Sequence, residues 1–387
     1  MGCESNSRNA TAPEPGIAPG FDEIDVRALA SSYVMDRRIT ERVPGFDAPF
    51  FQAGLAGYSD AAMRIVARRH GCPYCVTEAL LDRTLLAGGR GFAKADLGEL
   101  HDNVPGGEED HPLCGQIMGS DPDEMARGAD KMVRLNEEAL GEGGGFACVD
   151  VNLACPVKKI KRKARGGHWL REPEGAIEIL RAVRDAVPGH VATSVKMRRA
   201  FDDTPEMARN FDTIFDAAYE MGYAWVTVHG RTVEQKYVGP SRWDLIRDTV
   251  RRFPDRVVFG SGDIWGVEDI FRMLAYTGVH AVSVARGCIG NPWIFRQARE
   301  LMAGLEPRLP SIEEQRDTLE EHFALCMGVN GEKKAGYLMR KFGIRFSAHH
   351  PRGEEVRQAM IRVSRMEELQ AVLREFYGAE TNMCYSK

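Results

Sequence analysis

The stretch VDVNLACPVKKIKRKARGGHWL, residues Val149–Leu170, joins a buried-strand pattern to a lone cysteine and then to a dense run of cations. Six of the eight residues from Lys158 to Arg165 are Lys or Arg, whereas the whole chain carries a formal net charge of -5. The positive charge is therefore concentrated in one segment, which is typical of a surface that binds a phosphate-rich partner. We expect contacts to that partner from Lys158, Lys159, Lys161, Arg162, Lys163 and Arg165.

Short apolar runs like the one before Cys155 recur along the chain and alternate with longer amphipathic stretches. Eight such alternations over about 240 residues predict a closed parallel barrel, because parallel strands need crossover helices and closure removes the sheet edges. An open doubly wound sheet is the alternative, but its ligand motifs would cluster at one switch point, whereas the motifs here follow strands throughout the series. The predicted strands are Phe50–Ala53, Tyr74–Thr77, Leu113–Ile117, Cys148–Asn152, Val191–Lys196, Trp225–His229, Val257–Gly260 and His280–Val284.

The 387 residues, 43% of them hydrophobic, are enough for one large domain and a smaller one. We expect a flexible leader at 1–45, a barrel at 46–308, a helical domain at 309–378 and a tail at 379–387. The predicted fold class is therefore α/β, a TIM (β/α)8 barrel with a small all-helical C-terminal domain. The predicted C-terminal helices are 312–328, 332–346, 353–363 and 366–377.

The apolar runs and the cysteines of the sequence lead us to expect a cytoplasmic protein. No apolar run approaches the roughly 18 residues that cross a bilayer, so we expect no membrane contact. Nine scattered cysteines predict small core residues in a reducing compartment. Cys72 and Cys75 have redox or zinc spacing but lack a second pair, so we expect a structural role, no metal site and a monomer.

Polar residues and glycines at the carboxyl ends of the predicted strands form a coherent set. In a parallel barrel the active site lies at these ends. Each position alone is a weak signal, since a single Lys or Gln often serves only the surface or the backbone. The set consists of Gly54–Gly57, Glu78, Gln116, Asn152, Cys155, Lys196, His229, Arg231, Ser261–Asp263 and Ala285–Gly287.

Together these positions indicate a flavin site. The turns Ser261–Asp263 and Ala285–Gly287 supply backbone N–H groups near helix starts, and Arg286 can bind a phosphate through two donors. Lys196 provides a positive charge that can stabilise electron density on a reduced flavin.

Two further features fit a planar ligand. The turn Gly54–Gly57 would let the backbone approach a ring closely, because glycine adds no side chain. The amide of Gln116 can both donate to and accept from a pyrimidine edge. The alternative is an unrelated metabolic barrel that binds another phosphorylated ligand.

Seven motifs make the chain resemble the bacterial-type tRNA-dihydrouridine synthase family over Phe50–Tyr377. The motifs, in order, are AGLAGYSD, QIMGSDP, VDVNLACPVKK, VKMR, VTVHGRT, SGD and VARGCIGNPWIF. The resemblance implies an FMN-containing barrel, a helical tRNA-binding domain and NADPH-dependent reduction of particular uridines in tRNA.

The resemblance also implies roles for individual residues. Cys155 would protonate C5 of uracil while reduced FMN delivers hydride to C6. From its charges, the second C-terminal helix is expected to add Arg340 and Lys341 to the tRNA contacts of the cation run, and a solvated face is the alternative. The positions that match cofactor-binding residues are Gly54, Leu55, Ala56, Gln116, Lys196, His229, Ser261, Gly262, Asp263, Ala285 and Arg286.

Some positions depart from the family pattern, which commonly has Gly where this chain has Ala285 and Asn where it has Ser261. An added methyl at Ala285 could weaken flavin binding, but we expect tolerance because Gly287 keeps the turn pliable. Two other functions stay open: an FMN barrel that acts on a free pyrimidine, as dihydroorotate dehydrogenase does, and an RNA-binding barrel without catalysis.

Overall fold

The computed structural model describes residues 24–87, 107–140, 145–156 and 165–378. All its strands are parallel, and they form β1 Phe50–Gln52, β2 Cys75–Val76, β3 Leu80–Leu81, β4 Leu113–Met118, β5 Cys148–Leu153, β6 Ala192–Arg198, β7 Trp225–His229, β8 Val258–Ser261 and β9 Ala281–Val284. Strand β1 pairs with both β2 and β9, and β2 pairs with β4, so the sheet closes. The predicted TIM barrel is confirmed, and each of the eight predicted strands forms one strand of the closed barrel. The short β3, which pairs only with β4, was not predicted.

The helices follow the predicted alternation. Around the barrel lie α1 Val26–Ser32, α2 Arg37–Thr40, α3 Ala61–Arg69, α4 Asp82–Ala87, α5 Pro122–Leu140, α6 Pro173–Ala186, α7 Pro205–Glu220, α8 Trp243–Arg252, α9 Val267–Thr277 and α10 Trp293–Met302. Helices α6 and α7 begin with proline, and Thr204 caps α7 by accepting from Met207 N. Within the described ranges, no helix is both long and apolar enough to cross a bilayer.

The amino-terminal segment corrects one expectation. Residues 1–45 were expected to form a flexible leader outside the core, but Ile39 and Val43 are fully buried. Together with Phe46 they fill the end of the barrel at the amino ends of the strands, where Phe46 stacks on Tyr74 with ring centroids 4.6 Å apart. The apolar residues are spaced three to four apart among arginines, so their burial was hidden by the surrounding charge. Residues 1–23 lie outside the described part of the chain.

The C-terminal helices pack on the barrel. They are α11 Ile312–Asn330, α12 Glu332–Phe346, α13 Gly353–Met360 and α14 Met366–Phe376, which confirms the four predicted helices. Helix α11 lies along α3, where Glu321 pairs with Arg69 and the Thr318 hydroxyl lies 3.3 Å from Nε2 of His70. Residues 379–387, the predicted tail, lie outside the described residues.

Candidate active site

A cavity opens at the carboxyl ends of the barrel strands. It encloses about 950 Å³, counting its open mouth. Strand register brings its polar residues together, since His229 pairs with Ser261 and Ser261 pairs with Ser283 on the next strand. Every predicted catalytic and cofactor-binding residue lines this cavity: Gly54, Leu55, Ala56, Gln116, Cys155, Lys196, His229, Ser261, Gly262, Asp263, Ala285 and Arg286.

The amide side chains of Gln116 and Asn152 form a hydrogen-bonded chain in the cavity wall. Gln116 Nε2 donates to Asp150 Oδ2 at 2.8 Å, and Asn152 Nδ2 donates to Gln116 Oε1 at 2.7 Å. Burial raises the pKa of the Asp150 carboxyl, while hydrogen bonds from Ser194 and Gln116 act in the opposite direction. The chain fixes the orientation of Gln116 and leaves it one further donor and one further acceptor site for a ligand.

Cys155 sits in a tightly held turn after β5. Asn152 Oδ1 accepts from the backbone N–H groups of Ala154 and Cys155, both at 3.0 Å, and Arg198 Nε donates to the Ala154 carbonyl at 2.9 Å. The Cys155 carbonyl accepts from Gly167 N at 3.0 Å. Cys155 is partly exposed, whereas the other described cysteines are all buried, including the pair Cys72 and Cys75 that we expected to be structural.

Lys196 places its ammonium group within the barrel mouth. Its Nζ lies 3.2 Å from Ser283 Oγ and 3.4 Å from Ser261 Oγ. Burial lowers the pKa of Lys196 to about 8, and the nearby Asp150 carboxyl partly offsets that effect. At neutral pH the group is a cation with few partners of its own, and it is well placed to stabilise negative charge on a ligand.

His229 contributes a neutral imidazole. Burial lowers its pKa well below the ordinary value, and the cations Arg198 and Lys196 lower it further. Nδ1 lies 3.4 Å from Ser261 Oγ, whereas the buried Nε2 has no hydrogen-bond partner among the described residues. A buried polar atom without a partner is costly, so a ligand that bonds to Nε2 would be favoured.

Asp263 organises the cations beside the predicted phosphate position. Both of its carboxylate oxygens accept from Nη2 of the fully buried Arg231 at 2.7 Å, and Arg286 Nη2 lies 3.3 Å from Oδ1. The Arg286 guanidinium also stacks on the ring of Trp265, 4.5 Å from its centroid. The Asp263 carboxylate therefore binds two arginines of the protein itself, and its role in the cavity is to hold Arg286 in place.

Gly54 has a role in packing as well as the role expected beside a flat ring, which stays a prediction. A Cβ at this position would lie 2.3 Å from the carbonyl oxygen of Thr77, so the space above the glycine is occupied by the chain itself. Glycine is required here by the close approach of the segment after β2, whatever the ligand. The expected tolerance of flavin binding to the methyl group of Ala285 stays a prediction.

The predicted tRNA-contacting residues are only partly described. Lys158, Lys159, Lys161, Arg162 and Lys163 lie outside the described residues. Arg165 turns towards the protein, with Nε 3.4 Å from Ser120 Oγ and Nη2 4.0 Å from Asp82 Oδ1.

The two predicted contacts on α12 lie close to the loop after β1. Lys341 Nζ lies 3.4 Å from the Gly57 carbonyl and 4.9 Å from the centroid of the Tyr337 ring. The Arg340 guanidinium lies 5.6 Å from the centroid of the same ring. Because Leu55 and Ala56 of that loop line the cavity, the helical domain borders its mouth.

Sequence reasoning missed Arg198 and Tyr237, which both line the cavity. The fifth strand was predicted to end at Lys196, but β6 continues to Arg198, which pairs with His229 of β7. The VKMR motif contained the signal. Tyr237 is 56% exposed in the loop after β7, and the guanidinium groups of Arg198 and Arg286 lie 5.4 and 5.0 Å from its ring centroid.

The fold and this cavity define a TIM-barrel enzyme whose chemistry takes place at the carboxyl ends of the strands. The chain belongs to the dihydrouridine synthase family, whose model matches residues 51–381.

Two curated relatives match nearly their whole length. One is tRNA-dihydrouridine synthase B of Pseudomonas aeruginosa, 31% identical over 85% of this chain and 93% of that protein. The other is a probable tRNA-dihydrouridine synthase of Treponema pallidum, 30% identical over 84% of this chain and 92% of that protein. Among solved structures, histamine dehydrogenase from Rhizobium sp. 4-9 aligns with 72% of this chain and 49% of that chain at a TM-score of 0.46 and 11% identity, too distant to bear on the function.

Proposed function

We propose that this protein is a tRNA-dihydrouridine synthase that reduces particular uridines of tRNA to 5,6-dihydrouridine, with FMN as its bound cofactor and NADPH as reductant. The observation that carries the proposal is the convergence of Cys155, Lys196, His229 and Arg286 on one cavity in a chain of this family. Since the substrate is tRNA, the proposed location is the cytoplasm.

The residues of the cavity fit a flavin mononucleotide. Arg286 is a phosphate ligand of the right charge and lies beside the glycine-containing turn after β8. Nε2 of His229, which has no partner in the described part of the chain, and the remaining donor and acceptor positions of Gln116 can meet the polar edge of the ring system. Lys196 adds the positive charge that favours a reduced flavin.

FMN held by these residues would supply a hydride for C6 of uracil, with NADPH as the source of its electrons. Cys155 would donate its thiol proton to C5, and the resulting thiolate would regain a proton from solvent. Asn152 Oδ1 accepts from the Cys155 N–H, and Arg198 Nε donates to the neighbouring Ala154 carbonyl. These bonds hold the turn, which would keep the thiol in one position relative to the base.

The uracil has to leave the folded tRNA to enter the cavity, because a base within a stack cannot reach groups recessed in a barrel mouth. The cation run from Lys158 to Arg165 and the α12 residues Arg340 and Lys341 would hold the backbone around the extruded base. We propose these contacts from charge and from the position of α12 beside the mouth.

The test is to purify the protein, measure its flavin content by absorbance, and assay it with NADPH and tRNA lacking dihydrouridine. Mass spectrometry of digested tRNA should show uridines that have gained two hydrogens. For Cys155→Ala we expect turnover to fall about 10²–10⁴-fold, with tRNA and flavin still bound, because only proton transfer is lost.

Cys75→Ala, which removes a thiol buried away from the cavity, is the matched control and should keep its activity. Protein that binds no flavin even after reconstitution would contradict the proposed function. A Cys155→Ala variant as active as the parent would contradict the role of the thiol alone, and reduction of free uracil in preference to tRNA would favour the free-pyrimidine alternative.

A further inference from the structure

A second group of chemically able side chains lies outside the cavity, at the seam between the barrel and the helical domain. Asp60, His322 and Cys326 are all buried, and one ligand atom from each lies within 4.8 Å of the other two. Asp60 precedes α3 of the barrel, whereas His322 and Cys326 belong to α11. The spacing of four residues puts both α11 side chains on the same face of the helix.

His322 is the member whose environment calls for a ligand. It is 2% exposed, and neither ring nitrogen has a hydrogen-bond partner among the described residues. A neutral imidazole has a lone pair on the ring nitrogen that carries no proton, and this nitrogen can bind a metal ion. An imidazole buried in this way is costly unless something binds it.

The Asp60 carboxylate is oriented by hydrogen bonds. Its Oδ1 accepts from Met63 N at 3.0 Å as the cap of α3, and its Oδ2 accepts from Asn330 Nδ2 at 3.1 Å. A carboxylate oxygen has two lone pairs, so it can bind a cation and accept a hydrogen bond at the same time. These bonds also fix the direction of the carboxylate, as outer partners do for metal ligands.

We propose that Asp60, His322 and Cys326 bind one zinc ion that ties the helical domain to the barrel. A thiolate, an imidazole and a carboxylate together are typical of zinc, and the separations allow tetrahedral closure with small side-chain shifts. On binding, the Cys326 thiol loses its proton to solvent and its sulfur bonds to the metal. This proposal departs from the expectation of no metal site, which rested on spacing along the chain and could not detect residues so far apart in sequence.

A water molecule completes the coordination. A narrow cavity with room for about one water molecule adjoins His322 and is also lined by Gln52, Met63 and Phe342. The Gln52 side chain is fully buried, and neither its nitrogen nor its oxygen has a partner among the described residues. Its amide therefore serves as the hydrogen-bond partner of the water.

Zinc content is measured on the full-length protein as purified and after dialysis against ZnCl2, by elemental analysis and by competition with a chromophoric chelator. We expect about one tightly held zinc per chain. Cys326→Ala and His322→Gln should each weaken zinc binding by at least about 10–100-fold. Cys288→Ala is the matched control, because Cys288 is a buried thiol beside the same small cavity but outside the ligand set, and it should bind zinc as the parent does.

Cobalt gives a readout that does not depend on the variants folding. The parent loaded with CoCl2 should show the intense red-region bands of a tetrahedral site, where oxidised flavin does not absorb, together with a thiolate charge-transfer band. Parent protein that takes up no zinc, or zinc binding that Cys326→Ala leaves unchanged, would overturn the proposal. An octahedral cobalt spectrum without a thiolate band would overturn it as well.

Discussion

The two ends of the barrel hold opposite kinds of side chain. At the amino ends of the strands, the ring centroid of Phe46 lies 4.6 Å from that of Tyr74 and 5.9 Å from that of Phe259. These rings close the interior of the barrel at this end. At the carboxyl ends, Lys196 and His229 face an open cavity with few partners. The same strands thus support a stabilising plug at one end and ionisable groups at the other.

The difference shows that the closed end stabilises the folded protein, whereas the open end holds groups that destabilise it. Aromatic rings at the closed end gain from burial and from edge-to-face and stacked contacts. The charge of a lysine with a depressed pKa is less stable in the folded protein than in water, and so is an imidazole whose buried Nε2 has no partner among the described residues. Such unfavourable groups persist where a ligand makes use of them. The comparison predicts that substitutions at the two ends change stability in opposite directions.

The largest effect is expected at the closed end. Phe46→Ala should lower the free energy of unfolding by about 3–5 kcal/mol, because the cavity left among Tyr74, Phe51 and Phe259 cannot collapse within a rigid barrel. Urea denaturation followed by circular dichroism measures the loss. Phe46→Leu, the milder control, should cost less than about 1.5 kcal/mol.

Activity decides whether the plug is purely structural. Turnover per folded molecule of Phe46→Ala should equal that of the parent at a temperature where the variant is folded, since Phe46 lies at the end of the barrel opposite the cavity. A loss of turnover in fully folded Phe46→Ala would show that the two ends are coupled and would break the comparison.

The closed end is also where sequence reasoning failed. Ile39 and Val43 lie among Arg37, Arg38 and Arg42, and this charge made the segment look like a solvated leader. What fixes its position is tertiary: Arg38 Nη1 donates to the Asp255 carbonyl at 2.6 Å, and Tyr33 Oη donates to the His280 carbonyl at 2.8 Å. These residues fill the end of the barrel at the amino ends of the strands. That space exists only in the folded structure, so a single sequence does not reveal it.

The open end was predictable because of a topological rule. Once eight parallel strands are recognised, the residues that follow them must meet, and Lys196, His229 and Asp263 were found in this way. The rule depends on where each strand ends. The predicted strand stopped at Lys196, two residues before the true end of β6, and Arg198 was therefore missed. The cluster of Asp60, His322 and Cys326 follows no such rule, because it forms only when α11 docks on α3.

A smaller and opposite effect on stability is expected at the open end. Lys196→Met should raise the free energy of unfolding of the flavin-free protein by about 1–3 kcal/mol at neutral pH, because it removes a buried charge while keeping an apolar stem. Its turnover should fall by about 10²–10³-fold, as when one charged or donor group is lost from an active site. Denaturation of both flavin-free proteins and steady-state assays measure the two changes. A destabilised Lys196→Met would mean that the lysine is a structural ion-pair partner of Asp150.

The smallest effect is the pH dependence of that gain. The pKa of Lys196 is lowered to about 8 in the folded protein from an ordinary value of 10.5, so between these values the unfolded chain binds more protons and the stability of the parent rises with pH. The advantage of Lys196→Met should therefore be greatest at neutral pH and shrink above pH 8, by at most about 1.4 kcal/mol per pH unit. Denaturation of parent and variant from about pH 7 to about pH 10 follows the difference, in which titrations common to both proteins cancel. Lys333→Met, at an exposed site on α12, serves as the control and should differ from the parent by the same amount at every pH. A Lys196→Met advantage that stays constant across this range would show that the ammonium group is not the source of the strain at the open end.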